Sequence, residues 1–359
     1  LGYHFPGGMT IKPDKDAKSH FIPWWNVVVA DVGAMYPTIL RAMNIGADTV
    51  RYAKSDEDAD DWIWLKRIPR MFFEKNNIKY RKVTDEDSYA DKGYMIAVKI
   101  DKNPGVVNCA MAGIMNMISK TKKELNEVKK TGKKDEIQRL KMMYQSVKGA
   151  RNAGTHGIIS APGVSGRQFN LWGAAAITTK GQAILADSLN YLEKKGIRVV
   201  YGDTDGIYLG CSKSMNSIPD FSKKLNLNLD KENIDWITKP EVAFTAIEDC
   251  NNKWRKELNY PDFELEPEEH DSMIFVKHKN YLIFDSKKDN IEMITKGNNF
   301  KGSDKANIAR IALKDIMMDV LKEIPVWSDE EEAREKVREL IGDKTRDIVS
   351  KLDLSKVDL

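Results

Sequence analysis

Two aspartates lie one residue apart in the stretch VVYGDTDGIYLG, which runs from Val199 to Gly210. The apolar, β-branched residues on either side predict two buried strands, with Asp203 and Asp205 in the turn between them. Like charges at this spacing repel and raise each other's pKa unless a cation lies between them. A third carboxylate, Asp31, follows another buried stretch, WNVVVA. We therefore expect these three aspartates to converge at one edge of a sheet.

Three converging carboxylates indicate a particular kind of metal site. Hard oxygen ligands without histidine or cysteine favour Mg²⁺, with Mn²⁺ as an alternative, over zinc. Two such ions about 3.5–4 Å apart stabilise both the attacking and the leaving oxygen of an in-line phosphoryl transfer. The competing interpretation of the DTD stretch is a solvated turn, because aspartate favours turns. The buried flanking strands and the matching Asp31 favour the metal site.

The hydrophobic pattern predicts the strands and helices to which these carboxylates belong. Trp25–Ala30 predicts a buried strand, Asp31–Ala34 a turn, and Pro37 the first turn of a helix. A strand, a helix and a strand hairpin with helical insertions predict an α+β core with mainly helical appendages. The other predicted elements are helices over 107–130, 135–150 and 174–195, a single strand over 272–284 and a helix-rich tail from about 305.

Charge is distributed unevenly along the 359 residues. The chain has 57 basic and 54 acidic residues, and its net charge of +3 does not by itself indicate a nucleic-acid partner. Between Ser119 and Arg151, however, eleven Lys or Arg residues stand against four Asp or Glu, an excess that suits a polyanionic ligand. A solvated helical hairpin is the alternative interpretation of this segment.

The remaining composition limits the class of protein. Cys109, Cys211 and Cys250 lie far apart without a CxxC pair, which argues against a disulfide framework or a cysteine zinc site and favours a reducing compartment. The sequence has no apolar run of 18 residues and no signal peptide, so we expect a cytoplasmic protein without membrane contact. Because the chain begins at Leu1 and runs directly into a Gly-rich turn, we expect further domains to precede it.

Four ordered motifs carry a resemblance to family B DNA polymerases, in an archaeal-like form. DVGAMYPTIL (Asp31–Leu40) resembles motif A, DxxSLYPSII, and YGDTDG (Tyr201–Gly206) resembles motif C, YxDTDS. KGARN (Lys148–Asn152) is similar to motif B, KxxxNSxYG, and FVKHKNY (Phe275–Tyr281) resembles the duplex-contacting motif KKRY. FPGG near the start resembles the turn before motif A, and TKGNNFKGSD resembles the segment that opens the thumb.

The resemblance covers most of the chain and implies a right-hand polymerase, with an antiparallel-sheet palm, a helical fingers hairpin and a mainly helical thumb. The N-terminal and exonuclease domains of such a polymerase would lie outside this chain. The implied boundaries are the palm at 1–106 and 152–294, with a charged insertion of unassigned role at 56–102, the fingers at 107–151 and the thumb at 295–359.

The resemblance also implies roles for individual residues. Asp31 and Asp205 would be the principal ligands of two Mg²⁺ ions, Asp203 an auxiliary ligand, and Val32 a further member of the metal site. Tyr36 would stack under the sugar of the incoming dNTP and exclude a 2′-hydroxyl, with a core tyrosine as the alternative. The residues implied to bind the dNTP are Gly33, Ala34, Met35, Tyr36, Lys120, Lys148 and Asn152. Those implied to bind primer–template DNA are Thr204, Lys277, Lys279, Tyr281 and Lys296.

The lysines of the helical segment receive more specific roles from the resemblance. Lys148 and Asn152, four residues apart, share one face of a helix, as a joint task requires. Lys148 would neutralise the triphosphate, and Asn152 would lie near the nascent base pair. Lys120 stands where the family usually has a fingers arginine, and it keeps the charge without the bidentate fork. Lys122 or Lys123 could substitute by a small register slip.

The chain departs from the family pattern at several positions. Motif C ends in Gly206 rather than serine, and the KKRY-like segment keeps only part of its charge. His156 stands near the place of the motif B tyrosine, with a packed structural histidine as the alternative. Glu264 and Glu266 resemble a family acidic pair near the palm, with a solvated loop as the alternative. These departures could alter fidelity or lesion tolerance, and they leave the metal ligands intact.

Taken together, the resemblance implies template-directed DNA synthesis at the nucleoid, in which a primer 3′-hydroxyl attacks the α-phosphate of a dNTP. A second hypothesis is a catalytically silent subunit that kept the polymerase fold, which loss of the carboxylates would mark. A third is a reverse transcriptase or RNA polymerase, which more often has adjacent aspartates and a small residue in place of Tyr36. The implied partners are primer–template DNA, dNTPs, a sliding clamp, and other polymerase subunits or a separate chain that carries the N-terminal and exonuclease domains.

Overall fold

The computed structural model of the chain contains two compact units. The first is built mainly from Val32–Ala186 and Asn252–Glu264, and the second from Thr10–Asp31, Asp187–Asn251 and Leu265–Leu359. In the part that the structure describes, no helix is long and apolar enough to cross a membrane. The described residues are 10–11, 21–58, 63–68, 79–82, 94–160, 168–229, 234–277, 279–287, 290–301 and 307–351.

A seven-stranded sheet forms the framework of the second unit. Every pairing whose register is defined between these strands is antiparallel, which confirms the predicted α+β class with an antiparallel sheet. In their order across the sheet, the strands are β1 (Thr10–Ile11), β7 (Val199–Asp203), β8 (Gly206–Ser212), β2 (Pro23–Val32), β9 (Leu265–Lys277), β10 (Asn280–Ser286) and β11 (Ile291–Lys296).

The central strand β2 is buried along nearly its whole length. All residues from Pro23 to Ala30 are buried, as expected for a strand covered on both faces. Trp24 packs edge-on against Trp327 with ring centroids 5.1 Å apart, and the Trp327 indole N–H donates to the Pro23 carbonyl at 2.9 Å. This core fixes β2, and with it the position of Asp31 near the strand's end.

The prediction of a single strand over 272–284 is wrong, because the structure forms two antiparallel strands, β9 and β10, with Lys277 opposite Asn280 and a turn at Lys279. Lys279 adopts a left-handed φ of 60° in this turn. Gly297 also has a positive φ, of 94°, and a side chain there would overlap the Lys279 carbonyl oxygen. The segment KHKN contains no glycine or proline, the residues that mark a turn most clearly. The apolar residues before and after this segment are therefore easily interpreted as one continuous strand.

The predicted helices of the first unit are present. The pair predicted over 107–130 and 135–150 forms two helices that pack against each other, and Gly132 with φ +74° lies between them. A π-helical turn, Ala153–Gly157, continues directly from the second of the pair. The helices are α1 (Met35–Ala42), α2 (Val106–Thr131), α3 (Lys134–Asn152), α4 (Ile158–Ser160) and α5 (Leu171–Lys194), the last of which continues into the second unit.

The first unit also contains a small sheet, most of it within the charged segment 56–102 that has no assigned role. Its strand β6 (Tyr94–Ile100) pairs antiparallel with each of the other three strands. All three residues of the strand Tyr80–Lys82 are exposed, and its sequence, YRK, lacks apolar alternation. The strands are β3 (Val50–Tyr52), β4 (Ile63–Ile68), β5 (Tyr80–Lys82) and β6 (Tyr94–Ile100).

Helices complete the second unit, as the predicted helix-rich tail requires. The last helix begins at a side-chain cap, where Asp329 Oδ1 accepts hydrogen bonds from the Glu331 and Glu332 amides at 2.8 and 3.0 Å. The helices are α6 (Pro219–Lys224), α7 (Pro240–Glu257), which continues into the first unit, α8 (Asn298–Lys301), α9 (Asn307–Glu323) and α10 (Glu330–Ser350).

Candidate active site

Strand pairing brings the three predicted carboxylates to one end of the seven-stranded sheet. Asp31 on β2 lies directly opposite Gly206 on β8, and Asp203 on β7 lies opposite Gly206 on the other side. Asp205 precedes Gly206 in the two-residue turn between β7 and β8. The expected convergence of two strand systems, far apart in the sequence, is therefore present.

The charged side chains at this end of the sheet shift one another's pKa. Burial raises the pKa of Asp31, and the charges of Glu268 and Glu266 raise it further, although the Asp31 side chain still reaches solvent. The Lys296 ammonium has the opposite effect on this pKa. Burial and the Asp31 charge raise the pKa of Asp205 to about 6. A cation bound between such carboxylates would reverse these shifts, so the donor set fits a hard divalent ion.

Asp203 lies in a different environment from the other two aspartates. Its Oδ1 is 3.3 Å from the Lys279 ammonium and accepts a hydrogen bond from the Thr204 hydroxyl at 3.1 Å. Its Oδ2 accepts from the Tyr201 hydroxyl at 3.2 Å. In the described part of the chain, no group of three or more His, Cys, Asp or Glu side chains is arranged to hold one metal ion. A ligand set of three carboxylates therefore stays a prediction.

The turn that carries Asp205 is strained. Thr204 has φ +52°, a left-handed conformation that β-branched residues rarely adopt. Such a residue costs on the order of 1–3 kcal/mol, and it persists only where the surrounding structure fixes it. Strain of this kind is concentrated at functional sites, and it sits here between two predicted ligands, Asp203 and Asp205.

An aromatic cluster, made of Tyr201, Tyr208, Phe275 and Tyr281, packs beside the acidic region. Ring centroids are 5.1 Å apart for Tyr201 and Phe275, 5.2 Å for Tyr201 and Tyr208, and 5.5 Å for Tyr208 and Tyr281. The hydroxyls of Tyr208 and Tyr281 share a hydrogen bond of 2.8 Å, and burial raises the pKa of both. Sequence reasoning missed Tyr208, although alternation along β8 places it on the same face as Gly206.

Sequence reasoning also missed Glu268. It left two interpretations of Glu264 and Glu266, a family acidic pair near the palm or a solvated loop. Glu266 lies on β9, and its charge, like that of Glu268, raises the pKa of Asp31. Glu264 precedes the strand. The stretch LEPEE could have indicated Glu268, because Glu266 and Glu268 are two residues apart and strand residues at this spacing lie on the same face of a sheet.

The residues predicted to bind DNA lie in the strands and turns next to this region. Tyr281 pairs in register with Lys296 across β10 and β11, and Lys279 bonds Asp203. Lys277 is exposed at the end of β9, and Thr204 lies in the strained turn. His278, the middle of the KKRY-like segment, lies outside the described residues, as does the FPGG turn.

The residues predicted to bind the nucleotide belong to the first unit, where motif A leads into α1. Ala34 precedes the helix with a left-handed φ of 74°. The side chains of Val32 and Met35 are buried, and Gly33 is exposed. Tyr36 is half-buried against α5, where a Cβ added to Gly181 would lie 3.4 Å from the Tyr36 ring.

The predicted basic ligands lie on the helix pair. Lys120 is an exposed residue of α2. On α3, the Lys148 ammonium lies 5.3 Å from the centre of the Tyr144 ring, and Arg151 Nε donates to Asn152 Oδ1 at 3.1 Å. The side chain of His156, within the π-helical turn, lies outside the described part, so its role stays a prediction.

Comparison with known proteins identifies the family. Residues 3–235 match the model of DNA polymerase family B, and the chain therefore belongs to that family. It is 25% identical over 253 residues to DNA polymerase 1 of Sulfolobus acidocaldarius, a match that covers 68% of this chain and 24% of that protein. It is 22% identical over 284 residues to DNA polymerase 1 of Sulfurisphaera ohwakuensis, covering 73% and 27%.

The chain thus spans about a quarter of the length of these two relatives, from 24% to 27%. Among solved structures, the family B DNA polymerase from the hyperthermophilic archaeon Pyrobaculum calidifontis is similar in fold. The TM-score is 0.51 at 18% sequence identity, and the match covers 100% of this chain and 36% of that one. This likeness supports the fold described above.

Proposed function

We propose that this chain is the polymerase portion of a DNA polymerase that adds dNTPs to a primer 3′-hydroxyl. The observation that carries the proposal is the strand register that sets Asp31 and Asp203 on either side of Gly206, with Asp205 in the adjoining turn. Membership of DNA polymerase family B supports the same reaction. The seven-stranded sheet would then be the palm, the pair α2 and α3 the fingers, and the helices after β11 the thumb.

The acidic sheet end would hold the divalent ions that this chemistry requires. Asp31 and Asp205 would be the main ligands, with Asp203 auxiliary and Val32 nearby in the sequence. Bound Mg²⁺ or Mn²⁺ would supply charge neutralisation and activation of the attacking hydroxyl. The protein's own contribution is to hold like-charged carboxylates close together in a partly buried place. Burial and, after it, the Asp31 charge raise the pKa of Asp205 to about 6, which reflects the cost of this arrangement.

The first unit would bind the incoming nucleotide. The backbone amides from Gly33 to Tyr36, at the start of α1, belong to a helix N-terminus, the kind of site that accepts phosphate groups. Lys120 and Lys148 would add cationic charge to the triphosphate site, and Asn152 would lie by the new base pair. Catalysis of this type depends chiefly on positioning and electrostatic stabilisation.

The DNA would contact the strands that flank the carboxylates and neighbouring basic side chains. Lys277, Lys279 and Lys296 would neutralise phosphates, and Thr204 and Tyr281 would contact the primer end. Binding should weaken steeply with salt, because lysine–phosphate contacts release condensed counterions. The sliding clamp and a chain that carries an exonuclease stay predictions.

One observation favours the alternative, a silent subunit that kept the polymerase fold. Asp203 is already engaged by Lys279, and the described residues contain no ready-made group of three metal ligands. In that case the chain would bind primer–template DNA without extending the primer.

Primer extension separates these functions. The chain is incubated with Mg²⁺ and a labelled DNA primer on DNA or RNA templates, with dNTPs or rNTPs. We expect extension with dNTPs on DNA only, and its loss in Asp205→Asn but not in Asp220→Asn, a change at an exposed carboxylate of α6. DNA binding without extension would support the silent subunit. Efficient use of RNA templates or rNTPs would support a different polymerase class.

A further inference from the structure

Gly206 leaves a specific space at the centre of the acidic region. A Cβ built on it would overlap Asp31 Oδ1, and would lie 3.2 Å from Tyr208 Cε2 and 3.4 Å from the Tyr208 hydroxyl. The Asp31 carboxylate and the Tyr208 phenol therefore approach the same point, which is open only because residue 206 has no side chain. The φ of Gly206 is not positive, so backbone conformation does not explain the glycine.

The Tyr208 hydroxyl is held in that place by a partner 73 residues away. Its oxygen lies 2.8 Å from that of Tyr281, and the Tyr208 ring is only 7% exposed. Two hydroxyls that share one hydrogen bond use one of their two hydrogens for it, so one O–H group remains to be donated elsewhere. The Asp31 carboxylate, an acceptor, lies beside the phenol at the Gly206 space.

We propose that Gly206, Tyr208 and Tyr281 form one positioning unit for the Asp31 carboxylate, and through it for the divalent ion. The absence of a side chain at Gly206 leaves space for the Asp31 carboxylate. The tyrosine pair (Tyr208 and Tyr281) borders this space and orients the carboxylate. This inference rests on the proposed function, because it assigns a role toward the metal that function requires.

The electrostatics of the pair agree with this geometry. Burial raises the pKa of Tyr281, and the charges of Asp31, Asp203 and Asp205 raise it further. Burial likewise raises the pKa of Tyr208, and the Asp31 charge adds to it.

The test compares Tyr208→Phe, Tyr281→Phe and the double variant, which keep the rings and remove one or both hydroxyls. Binding of Mn²⁺ is followed by the electron paramagnetic resonance signal of the free ion, and extension is followed as kcat and KM for dNTP. We expect each single variant to weaken Mn²⁺ binding and lower kcat by about three- to tenfold, the scale of one hydrogen bond, with KM nearly unchanged. The double variant should be no worse than the stronger single variant, because both break the same bond.

Gly206→Ala provides a second and independent test. We expect it to weaken Mn²⁺ binding at least tenfold, and adding Tyr208→Phe to it should cost little more, since Asp31 is already displaced. Tyr191→Phe is the matched control, because it removes a hydroxyl that donates to Asp249 at 2.7 Å and should change neither readout. Thermal unfolding of each variant separates local effects from a general loss of structure.

The outcomes distinguish this inference from the proposed function. Normal Mn²⁺ binding and kcat in both Tyr→Phe variants, or effects that add in the double variant, would overturn the positioning unit alone. Failure of the unchanged chain to bind Mn²⁺ would overturn the metal site and the positioning unit together. Mn²⁺ binding that depends on the tyrosine pair without any primer extension would support the positioning unit and contradict the polymerase activity.

Discussion

The Lys279 ammonium lies 3.3 Å from Asp203 Oδ1, so the turn between β9 and β10 sets a cation against one of the three carboxylates. The Lys279 side chain is 55% exposed, so this ion pair adds little to stability and can exchange its partner. In the proposed function, the Lys279 ammonium would pair with either Asp203 or a DNA phosphate.

Lys279→Ala should weaken binding of primer–template DNA and reduce its salt dependence. If Lys279 transfers to a phosphate, the slope of log K against log salt should fall in magnitude by about one. Fluorescence anisotropy at several salt concentrations measures the slope. Lys287→Ala is the control, because this lysine is similarly exposed and paired with Glu292 at 3.2 Å. An unchanged slope in Lys279→Ala would exclude a phosphate contact.

Thr204→Asn should stabilise the chain and impair its activity. Asparagine tolerates the left-handed conformation that Thr204 adopts, and relief of this strain should raise the free energy of unfolding by about 1 kcal/mol. The change also removes the Thr204 hydroxyl that donates to Asp203. The thermal unfolding temperature should therefore rise, and the rate of primer extension should fall. Thr204→Ser keeps the hydroxyl and should extend primers almost normally, and loss of both properties in Thr204→Asn would contradict this account.

Gly181→Val should relax the choice between dNTPs and rNTPs. Its side chain would press on Tyr36 and Ile39, since a Cβ alone would reach 3.4 and 3.5 Å from them. Displacement of Tyr36 removes the group proposed to exclude a 2′-hydroxyl, so rNTP incorporation should rise toward the level of Tyr36→Ala. Gly113→Val on α2 is the control, because an added Cβ there meets no described atom within 4 Å beyond its chain neighbours and its own helix backbone. Unaltered discrimination in both Gly181→Val and Tyr36→Ala would remove Tyr36 as the gate.

The position of the carboxylates could be predicted from the sequence because it depends on local patterns. Apolar runs that end in Asp31 and enclose Asp203 and Asp205 identify strands, and strand ends identify a sheet edge. The contacts that modify these groups could not be predicted in the same way. Asp203 and Lys279 are 76 residues apart, and the turn that brings Lys279 to Asp203 contains a left-handed lysine in place of glycine.

Packing accounts for the other features that the sequence did not reveal. Gly206 reads as a departure from a motif until the space around it is known, because its reason lies in the Asp31 and Tyr208 side chains. The small sheet formed by β3–β6 was missed for a different reason. Its short strands carry little hydrophobic alternation, and β5 consists of exposed residues only.

A pair on β9 and β10 should make stability depend on pH. His270 Nδ1 lies 3.1 Å from Asp285 Oδ1. Burial lowers the pKa of His270, but the hydrogen bond and charge of Asp285 raise it more, to a net value above 6.5. Burial raises the pKa of Asp285, and His270 outweighs this effect, so its net value lies below 3.8.

The sign of each shift defines the pH window. A raised histidine pKa stabilises the fold fully below pH 6.5, and this contribution is lost as the pH rises through the folded-state value. A lowered aspartate pKa stabilises above pH 3.8, and its contribution is lost as the pH falls through the folded-state value. His270→Gln should thus cost on the order of 1 kcal/mol at about pH 5.5 and clearly less at about pH 8.5. Denaturant unfolding measures both, and an equal cost at the two pH values would contradict the ion pair.

The proposed reaction requires Asp31 and Asp205 to share a divalent ion at the end of the sheet. The most direct measurement is the anomalous diffraction of Mn²⁺ in crystals of the chain with primer–template DNA and a non-hydrolysable dNTP. We predict a manganese peak in contact with carboxylate oxygens of both Asp31 and Asp205, which disappears in Asp205→Asn. A peak that contacts neither aspartate, or carboxylates too far apart for one ion to touch both, would contradict the account.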